Sequence, residues 1–460
     1  MSLRRLLYHG AVYGLTTATA RLLNWVLTPL YAHRLSVEDF GRMSELYAWM
    51  VFGLIVAGAG METAYFRFSQ GKARPFWQML GLTVGVGGGI AGSLALAVPF
   101  IGPALGYADR LSLLWLTIAI WTVDAWGSFA LAYQRALGRP ARFAAIQLSH
   151  VLLLLGLNIW GVGGQGYGLD FILWANLGAS LLRLSWALAW GPRRVSSSND
   201  SLPTRLLLTY GLTLAGMGLL GATNDVLDRV LLARYDLAQT ALYSAAYKIA
   251  MALALFVQAY RQAGEPLLLG ESRGDLCFYR RSWLLYHAIG LSGVLLLSLW
   301  APLLVTTDWG GLLPRSLFPS AYHAALPVVP ILLWANLLMG SLVQASVWYK
   351  LQERPTAGLF ITALGSLITW VGNLYGIPRY GYVASAWTTL LAYGGMVGVS
   401  VLWGRKVLPG AFPLGQIVGG SLWVVLMQWG TSYAPPVLLS GVGLVGLTWI
   451  FGRALAQKSP

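Results

Sequence analysis

The sequence predicts an all-α polytopic membrane protein with about 14 transmembrane helices, and three features of the chain support this fold class. Hydrophobic residues make up 57% of the 460 residues and charged residues only 10%, whereas an ordinary soluble domain has about 25% charged residues. Apolar runs of about 20 residues recur along the chain, each long enough to cross a hydrocarbon core about 30 Å thick. Lysine and arginine concentrate in alternate gaps between these runs, as cytoplasmic loops do.

The apolar runs define the predicted spans, which lie at 8–32, 43–67, 77–102, 110–134, 143–163, 168–190, 204–231, 237–267, 282–305, 322–349, 356–376, 381–404, 413–430 and 435–453. The first run follows Arg4 and Arg5 and imitates a signal peptide with a cleavage site at 18–20. Because this run continues to Leu30, we expect an uncleaved first span. No gap is long enough to fold as a separate domain, the longest outer gap being 306–321.

The distribution of positive charge predicts the orientation of the chain. Of the 31 lysine and arginine residues, 20 lie on one side of the predicted spans and seven on the other. This bias places both termini in the cytoplasm. The net charge of +15 is then explained by inner loops that face anionic lipid headgroups, so we expect a lipid bilayer and no nucleic acid as partner. One cysteine excludes an internal disulfide, and five scattered histidines predict neither a metal site nor a cofactor.

A polar, serine-rich segment after the sixth span predicts a division of the chain. Sliding the sequence by 200 residues aligns identical residues at the junction between the first and second span of each half, namely Arg34 with Arg234, Ser44 with Ser244 and Tyr47 with Tyr247. We therefore expect two lobes related by a pseudo-two-fold axis, able to rock about a site held between them. The predicted parts are an N-terminal six-helix lobe at 1–192, a cytoplasmic linker at 193–203, a C-terminal six-helix lobe at 204–406, and two additional helices with the tail at 407–460.

Four cations lie within the predicted spans rather than in the gaps: Arg21, Arg183, Lys248 and Arg261. An ionisable group inside a membrane costs at least a few kcal/mol, so it usually faces a wet cavity or a charged partner. Arg21 shares one helical stripe with Asn24 and two threonines, which predicts that this stripe lines a substrate cavity. Pairing of Arg21 with a nearby carboxylate is the structural alternative.

The eighth predicted span carries a second polar face. Gln258, Arg261, Gln262 and Glu265 follow the spacing of one helical face, and Lys248 lies about 40° from Gln262 around the helix. This arrangement predicts that the side chains of Lys248 and the two glutamines line the same cavity. A simple i,i+4 pair between Arg261 and Glu265 remains an equal alternative to a role in transport.

Three carboxylates are candidates for coupling transport to a proton or sodium gradient: Asp124, Glu62 and Asp225. Asp124 lies near the centre of the fourth span, and its alternative role is to neutralise Arg183 within the first lobe. Glu62 and Asp225 lie near span ends, where structural capping is as plausible as transport. Because cations outnumber anions deep in the spans, we expect an anionic substrate, since guanidinium groups bind phosphate oxygens through paired hydrogen bonds.

A family resemblance is carried by segments spread from the first to the twelfth span, at 29–31, 35–36, 40–41, 60–68, 228–232, 243–250, 258–266, 348–351 and 380–387. These segments resemble the polysaccharide-biosynthesis flippases, which export O-antigen and other lipid-linked oligosaccharides. The superfamily, of multidrug/oligosaccharidyl-lipid/polysaccharide exporters, also contains multidrug extruders and the lipid II flippase.

The resemblance implies two six-helix lobes around a cationic cavity, in a bacterial cytoplasmic membrane. It implies an undecaprenyl-diphosphate-linked glycan as substrate, moved by alternating access, and the polymerase and glycosyltransferases of the same pathway as partners. Arg21 and Lys248 fall where the family would place phosphate-binding cations, with Arg67 and Arg261 guiding the substrate from the inner side.

Two other functions fit parts of the sequence. A multidrug or metabolite cation antiporter on the same fold would concentrate carboxylates in its cavity, and the charges within the spans show the reverse. A membrane glycosyltransferase or O-antigen polymerase would need a large outer loop with clustered polar residues, which the short outer gaps do not provide. The sequence therefore predicts a transporter rather than an enzyme.

Overall fold

The computed structural model of the chain describes residues 16, 19, 22–23, 25–69, 75–192, 202–269, 275–308 and 316–456, except the side chains at 263, 265 and 266. Throughout these residues the secondary structure is helical, with turns between the helices and no β-strand. Every described residue before position 35 is helical, in agreement with the predicted first span.

The described helices of the first half are α1 (Val37–Gly58), α2 (Met61–Ser69), α3 (Phe76–Ala104), α4 (Leu111–Ala136), α5 (Pro140–Asn158), α6 (Leu169–Ala189) and α7 (Thr204–Ala233). A π-helical turn, Ile159–Gly164, extends α5. Ser36 caps α1 by accepting a hydrogen bond from the Asp39 amide at 3.0 Å. The helix ends where Ala59 and Gly60 adopt positive φ angles of 46° and 65°, so the second predicted span is broken into α1 and α2.

The helices of the second half are α8 (Leu237–Leu269), α9 (Leu276–Thr306), α10 (Val329–Ala345), α11 (Val347–Leu351), α12 (Pro355–Tyr380), α13 (Tyr382–Gly404), α14 (Leu414–Trp429) and α15 (Pro436–Ala456). A 3-10 helix, Ser320–Val328, leads into α10.

Twelve candidate membrane spans occur in the described part of the chain, which confirms a multi-pass, all-α membrane protein. The other two predicted spans lie outside this set for different reasons. Most of 8–32 falls outside the described residues. The span predicted at 413–430 corresponds to α14, whose 16 residues cover only about 24 Å, less than the hydrocarbon thickness of about 30 Å.

Two compact units divide the chain, Met1–Ala238 and Gln239–Pro460. The division lies one helix beyond the predicted linker, because α7 packs along α1 and α2 in the first unit. A β-carbon added at Gly60 would lie 2.1 Å from the Gly211 carbonyl oxygen, so these glycines allow the α7 backbone to touch the α1–α2 break. The six-helix lobe boundaries stay a prediction.

Each unit has its own core. In the first unit, Tyr65, Phe76, Phe129 and Tyr133 form an aromatic cluster with ring centroids 5.2 to 6.1 Å apart, joining α2, α3 and α4. In the second unit, α9 packs against α10, α14 and α15, and α13 packs against α10 and α12. These cores hold the spans at fixed rotations, which decides which polar side chains meet.

Candidate functional site

The sequence-predicted site residues fall into three groups. Arg21 and Asn24 lie outside the described residues. The first unit contains Glu62, Arg67, Asp124 and Asp225, and the second unit contains Lys248, Gln258, Arg261 and Gln262.

The polar face of the eighth predicted span lies on a single helix. Helix α8 runs without interruption from Leu237 to Leu269, so the spacing read from the sequence is the spacing on the helix. Lys248 and Gln258 are half-buried, whereas Arg261 and Gln262, nearer the C-terminal end, are exposed. Their assignment to substrate binding stays a prediction.

Asp124 and Arg183 form an ion pair between α4 and α6. The Arg183 Nη2 donates to Asp124 Oδ1 at 2.8 Å and to the Asp124 carbonyl oxygen at 3.1 Å. Gly127, almost one turn along α4, makes room for the guanidinium, because a β-carbon there would lie 3.2 Å from Arg183 Nε. The pairing considered from the sequence therefore exists, and it engages one of the four cations within the spans.

Further polar side chains surround this ion pair. His150 on α5 is 8% exposed, and neither ring nitrogen has a hydrogen-bond partner in the described part of the chain. Both Asp124 and Arg183 act electrostatically on its imidazole. Tyr47 on α1 forms a side-chain hydrogen bond with Asn176 on α6 and lies within electrostatic range of Asp124. Sequence reasoning did not identify His150.

A second ion pair lies at the inner end of the first unit, by the predicted orientation. Arg135 on α4 contacts Glu62 on α2, with Nη1 and Oε1 2.8 Å apart. The neighbouring Arg67 lies over the Tyr210 ring of α7, with its guanidinium carbon 5.0 Å from the ring centroid. The exposed Arg67 side chain is thus held at the junction of α2 and α7.

Glu45, near the outer end of the first unit, is buried and hydrogen bonded. Its carboxylate accepts hydrogen bonds from the Tyr107 hydroxyl at 2.8 Å and from Trp49 Nε1 at 3.3 Å. Burial, followed by the charge of Glu45, raises the pKa of Tyr107 far above its ordinary value, so the phenol stays a donor. The guanidinium of Arg42 lies over the Tyr107 ring at 5.3 Å.

Three of the arginines predicted to lie on the outer side make ion pairs or hydrogen bonds to other segments of the first unit. Arg110 pairs with Asp39 at 2.7 Å, Arg34 donates to the Gly163 carbonyl at 2.8 Å, and Arg234 donates to the Ala104 carbonyl at 3.1 Å. The Asp225 carbonyl accepts a hydrogen bond of 3.2 Å from Arg229, while the Asp225 side chain is exposed on α7. A role for Asp225 in ion coupling stays a prediction.

A family model described as "Polysaccharide biosynthesis protein" matches residues 6–268, which is more than half of the 460 residues. The chain belongs to the polysaccharide biosynthesis protein family. The resemblance inferred from the sequence is therefore confirmed for this family. A comparison with curated protein sequences gave no significant match.

Solved structures show which fold this polysaccharide biosynthesis protein has. A structure described as the lipid II flippase MurJ in an inward closed conformation matches with a TM-score of 0.70 and 14% identity, covering 97% of this chain and 100% of that one. An inward-facing multidrug resistance MATE family transporter of the MOP superfamily matches with a TM-score of 0.66 and 16% identity, covering 85% and 95%. A MATE protein in complex with MaD3S matches with a TM-score of 0.64 and 16% identity, covering 88% and 96%.

These similarities show that the chain has the same fold as the MurJ and MATE structures. Family membership and fold agree with the transporter that the sequence predicted.

Proposed function

We propose that this polysaccharide biosynthesis protein is a flippase that moves an undecaprenyl-diphosphate-linked oligosaccharide across the bacterial cytoplasmic membrane. The observation on which this proposal depends is the family match over residues 6–268. The lipid II flippase fold supports it, since a flippase of another lipid-linked molecule has the same architecture.

Arg21 and Lys248 are the proposed binding residues for the diphosphate. Arg183 binds Asp124, whereas Arg21, Lys248 and Arg261 are proposed from their positions within the predicted spans and from the family resemblance. A diphosphate presents several oxygens to guanidinium and ammonium groups and is bound through charge-assisted hydrogen bonds. Asn24, Gln258 and Gln262 would supply neutral hydrogen bonds to phosphate or sugar hydroxyls.

Arg67 and Arg261 would guide the headgroup from the cytoplasmic side. Both side chains are exposed, and Arg67 is held over the Tyr210 ring at 5.0 Å. An arginine positioned by an aromatic ring keeps its donors available to an anion while losing less side-chain freedom on binding.

Rocking of the two predicted lobes would carry the bound headgroup across while the lipid tail stays in the bilayer. Coupling to a proton or sodium gradient would involve Asp124, Glu62 or Asp225. Glycosyltransferases of the pathway would supply the substrate, and the polymerase would use it on the outer side.

The alternative function, a multidrug antiporter that exports organic cations, has less support than a flippase from the side chains of the described residues. A cation-binding cavity needs carboxylates available to the substrate. Within the first unit, Asp124 and Glu62 are each engaged by an arginine at 2.8 Å. The likeness to MATE structures, at 16% identity, concerns the fold and does not favour a cationic substrate.

Flipping assays with matched variants test the proposed binding residues. Proteoliposomes would contain a fluorescent undecaprenyl-diphosphate oligosaccharide, and the outer-leaflet fraction would be quenched chemically. We expect Arg21→Ala and Lys248→Ala each to reduce the flipping rate at least about tenfold, which corresponds to about 1.4 kcal/mol. Arg405→Ala and Lys406→Ala, at exposed positions beyond the end of α13, are the matched controls. Full rates in the first two variants at equal protein levels would overturn the assignment.

A further inference from the structure

The connection between α4 and α5, residues 135–142, carries three arginines and no carboxylate. Arg135 lies in the last turn of α4, Arg139 comes directly before α5, and Arg142 lies in the first turn of α5. All three side chains are exposed. By the predicted orientation, this segment lies at the inner end of the first unit. It is called the arginine turn below.

Aromatic rings support two of these arginines. The guanidinium carbon of Arg135 lies 4.9 Å from the Phe66 ring centroid and 6.0 Å from that of Phe143. The guanidinium carbon of Arg142 lies 5.8 Å from the Trp190 ring centroid. An arginine stacked on a ring keeps its in-plane N–H groups available to an oxygen anion. The rings therefore hold the guanidinium groups in orientations that suit an anionic ligand.

The positive charge of the arginine turn is only partly neutralised. Arg135 pairs with Glu62 at 2.8 Å, whereas neither Arg139 nor Arg142 forms an ion pair with a carboxylate in the part of the chain that the structure describes. Fixed charge of one sign at a surface attracts ligands of the other sign. The two arginines are thus suited to an anion from outside the chain.

The second unit contains a turn with the same backbone geometry. It joins α11 to α12 and places Arg354 directly before α12, with φ and ψ of −105° and 72°, against −106° and 69° for Arg139. The preceding residues, Glu353 and Gly138, have positive φ angles of 53° and 62°. This second turn carries a carboxylate and has Ala357 three residues after its arginine. The arginine turn therefore differs from it in charge rather than in backbone.

Tryptophans indicate the depth of the arginine turn in the membrane. Trp190 directly follows α6, and its ring lies 5.7 Å from that of Trp186, which is 41% exposed. Tryptophan is enriched where the hydrocarbon core meets the lipid headgroups. The guanidinium of Arg142, which lies over the Trp190 ring, is therefore at the level of the lipid phosphates.

We propose that the arginine turn binds the phosphate of an anionic phospholipid, with phosphatidylglycerol as the simplest ligand of this class. Arg139 and Arg142 donate charge-assisted hydrogen bonds to the phosphate oxygens, while the acyl chains stay in the bilayer beside Trp186. A zwitterionic phospholipid gains less from two adjacent cations, because its own ammonium group opposes them.

This lipid site is independent of the proposed function. Neither Arg139 nor Arg142 belongs to the residues proposed to bind or guide the substrate. Lipid binding ties the connection between α4 and α5 to the membrane surface, and it can be measured without any transported molecule.

Native mass spectrometry of the full chain in detergent tests this site. The chain would be titrated with phosphatidylglycerol, or with phosphatidylcholine that has the same acyl chains. We expect Arg139→Gln and Arg142→Gln each to weaken the apparent affinity for phosphatidylglycerol about fivefold, and the double variant to weaken it about twenty-five-fold. Phosphatidylcholine binding should not change. Because both arginines are exposed, the variants should melt at the wild-type temperature.

Two further variants separate a built site from a general effect of charge. Arg354→Gln removes one charge from the matching turn of the second unit and should leave the affinity for phosphatidylglycerol within about twofold of wild type. Trp190→Leu removes the ring under Arg142 and keeps every charge, so it should weaken the affinity about two- to threefold.

Equal affinity for phosphatidylglycerol in the wild type and in the double variant would overturn the proposal. So would an equal loss in Arg354→Gln, because binding would then follow total charge rather than the arginine turn. If undecaprenyl diphosphate displaces phosphatidylglycerol from the wild type, and the double variant loses affinity for both to the same extent, the turn binds the substrate headgroup and the phospholipid assignment is wrong.

Discussion

Arg183 on α6 donates two hydrogen bonds to Asp124 on α4, one to the carboxylate at 2.8 Å and one to the backbone carbonyl at 3.1 Å. The pair is largely buried, with side-chain exposures of 11% for Arg183 and 25% for Asp124. Each side chain therefore contacts its opposite charge between the packed helices α4 and α6.

Removing one member of this pair should cost more stability than removing both. We expect Asp124→Ala to lower the free energy of unfolding by about 3 kcal/mol, because an uncompensated arginine is left buried. Replacement of both residues, Asp124→Leu with Arg183→Met, should cost clearly less. Thermal unfolding in detergent measures both, and equal losses in the single and double variants would contradict the interpretation.

The hydroxyl of Tyr107 should contribute to stability through Glu45. Tyr107→Phe removes a hydrogen bond of 2.8 Å to a buried carboxylate, a loss worth about 1.5 to 3 kcal/mol. Burial and the Glu45 charge raise the pKa of Tyr107, so this contribution is fully present below the ordinary tyrosine pKa of about 10 and is lost only as pH rises through the higher folded-state value.

The difference in melting temperature between wild type and Tyr107→Phe should therefore stay constant between about pH 6 and pH 9. Tyr433→Phe, at a side chain that is 76% exposed, is the control and should have little effect. A difference that disappears within this pH range would show that the phenol does not act as the expected donor.

Gly211 should be required for the contact between α7 and the α1–α2 break. A β-carbon at Gly211 would lie 2.4 Å from the Ala59 carbonyl oxygen, so Gly211→Ala should destabilise the chain by about 1 to 3 kcal/mol through overpacking. At Gly216, on the same helix, an added β-carbon would meet no other described part of the chain within 4 Å. Gly216→Ala should be neutral or slightly stabilising, and similar melting temperatures for both variants would contradict the close approach.

Replacing either of two glutamines in the second unit by methionine should change stability, in opposite directions for the buried Gln344 and the half-buried Gln428. The Gln344 amide has no hydrogen-bond partner in the described part of the chain and borders a cavity of about 10 Å³ lined by Trp283 and Phe412. Gln344→Met should raise stability by about 1 kcal/mol, because it removes a buried unsatisfied amide. Gln428 bonds to Ser298 at 2.7 Å and to Trp334 at 3.2 Å, so Gln428→Met should lower the melting temperature. A change in melting temperature in the same direction for both variants would contradict this prediction.

The sequence predicted the helices well because length and hydropathy are local properties. The predicted span 110–134 corresponds to Leu111–Ala136, and 204–231 to Thr204–Ala233. Breaks within a span were not predicted. The positive φ angles of Ala59 and Gly60 divide the second span. Gly58 and Gly60 allow such a break, but the hydropathy of the apolar run does not locate it.

Side-chain partners were predictable where a span carries an isolated charge. Asp124 and Arg183 were recognised as a possible pair because each stands alone in an apolar run. The position of His150 beside them depends on the rotation of α5 against α4 and α6, which hydropathy does not specify. Counting residues from the inner ends of the helices would have placed His150 and Asp124 at similar depth. The association of α7 with the first unit likewise depends on contacts between segments that are distant in the sequence, among them the close approach of Gly211 to the α1–α2 break.

Flipping by the purified wild-type chain tests the central claim most directly. Proteoliposomes would be loaded either with a fluorescent undecaprenyl-diphosphate oligosaccharide or with a fluorescent organic cation, and transbilayer movement would be measured against protein-free vesicles. The proposed function predicts protein-dependent flipping of the lipid-linked glycan and none of the cation. Export of the cation, with the glycan moving no faster than in protein-free vesicles, would contradict it.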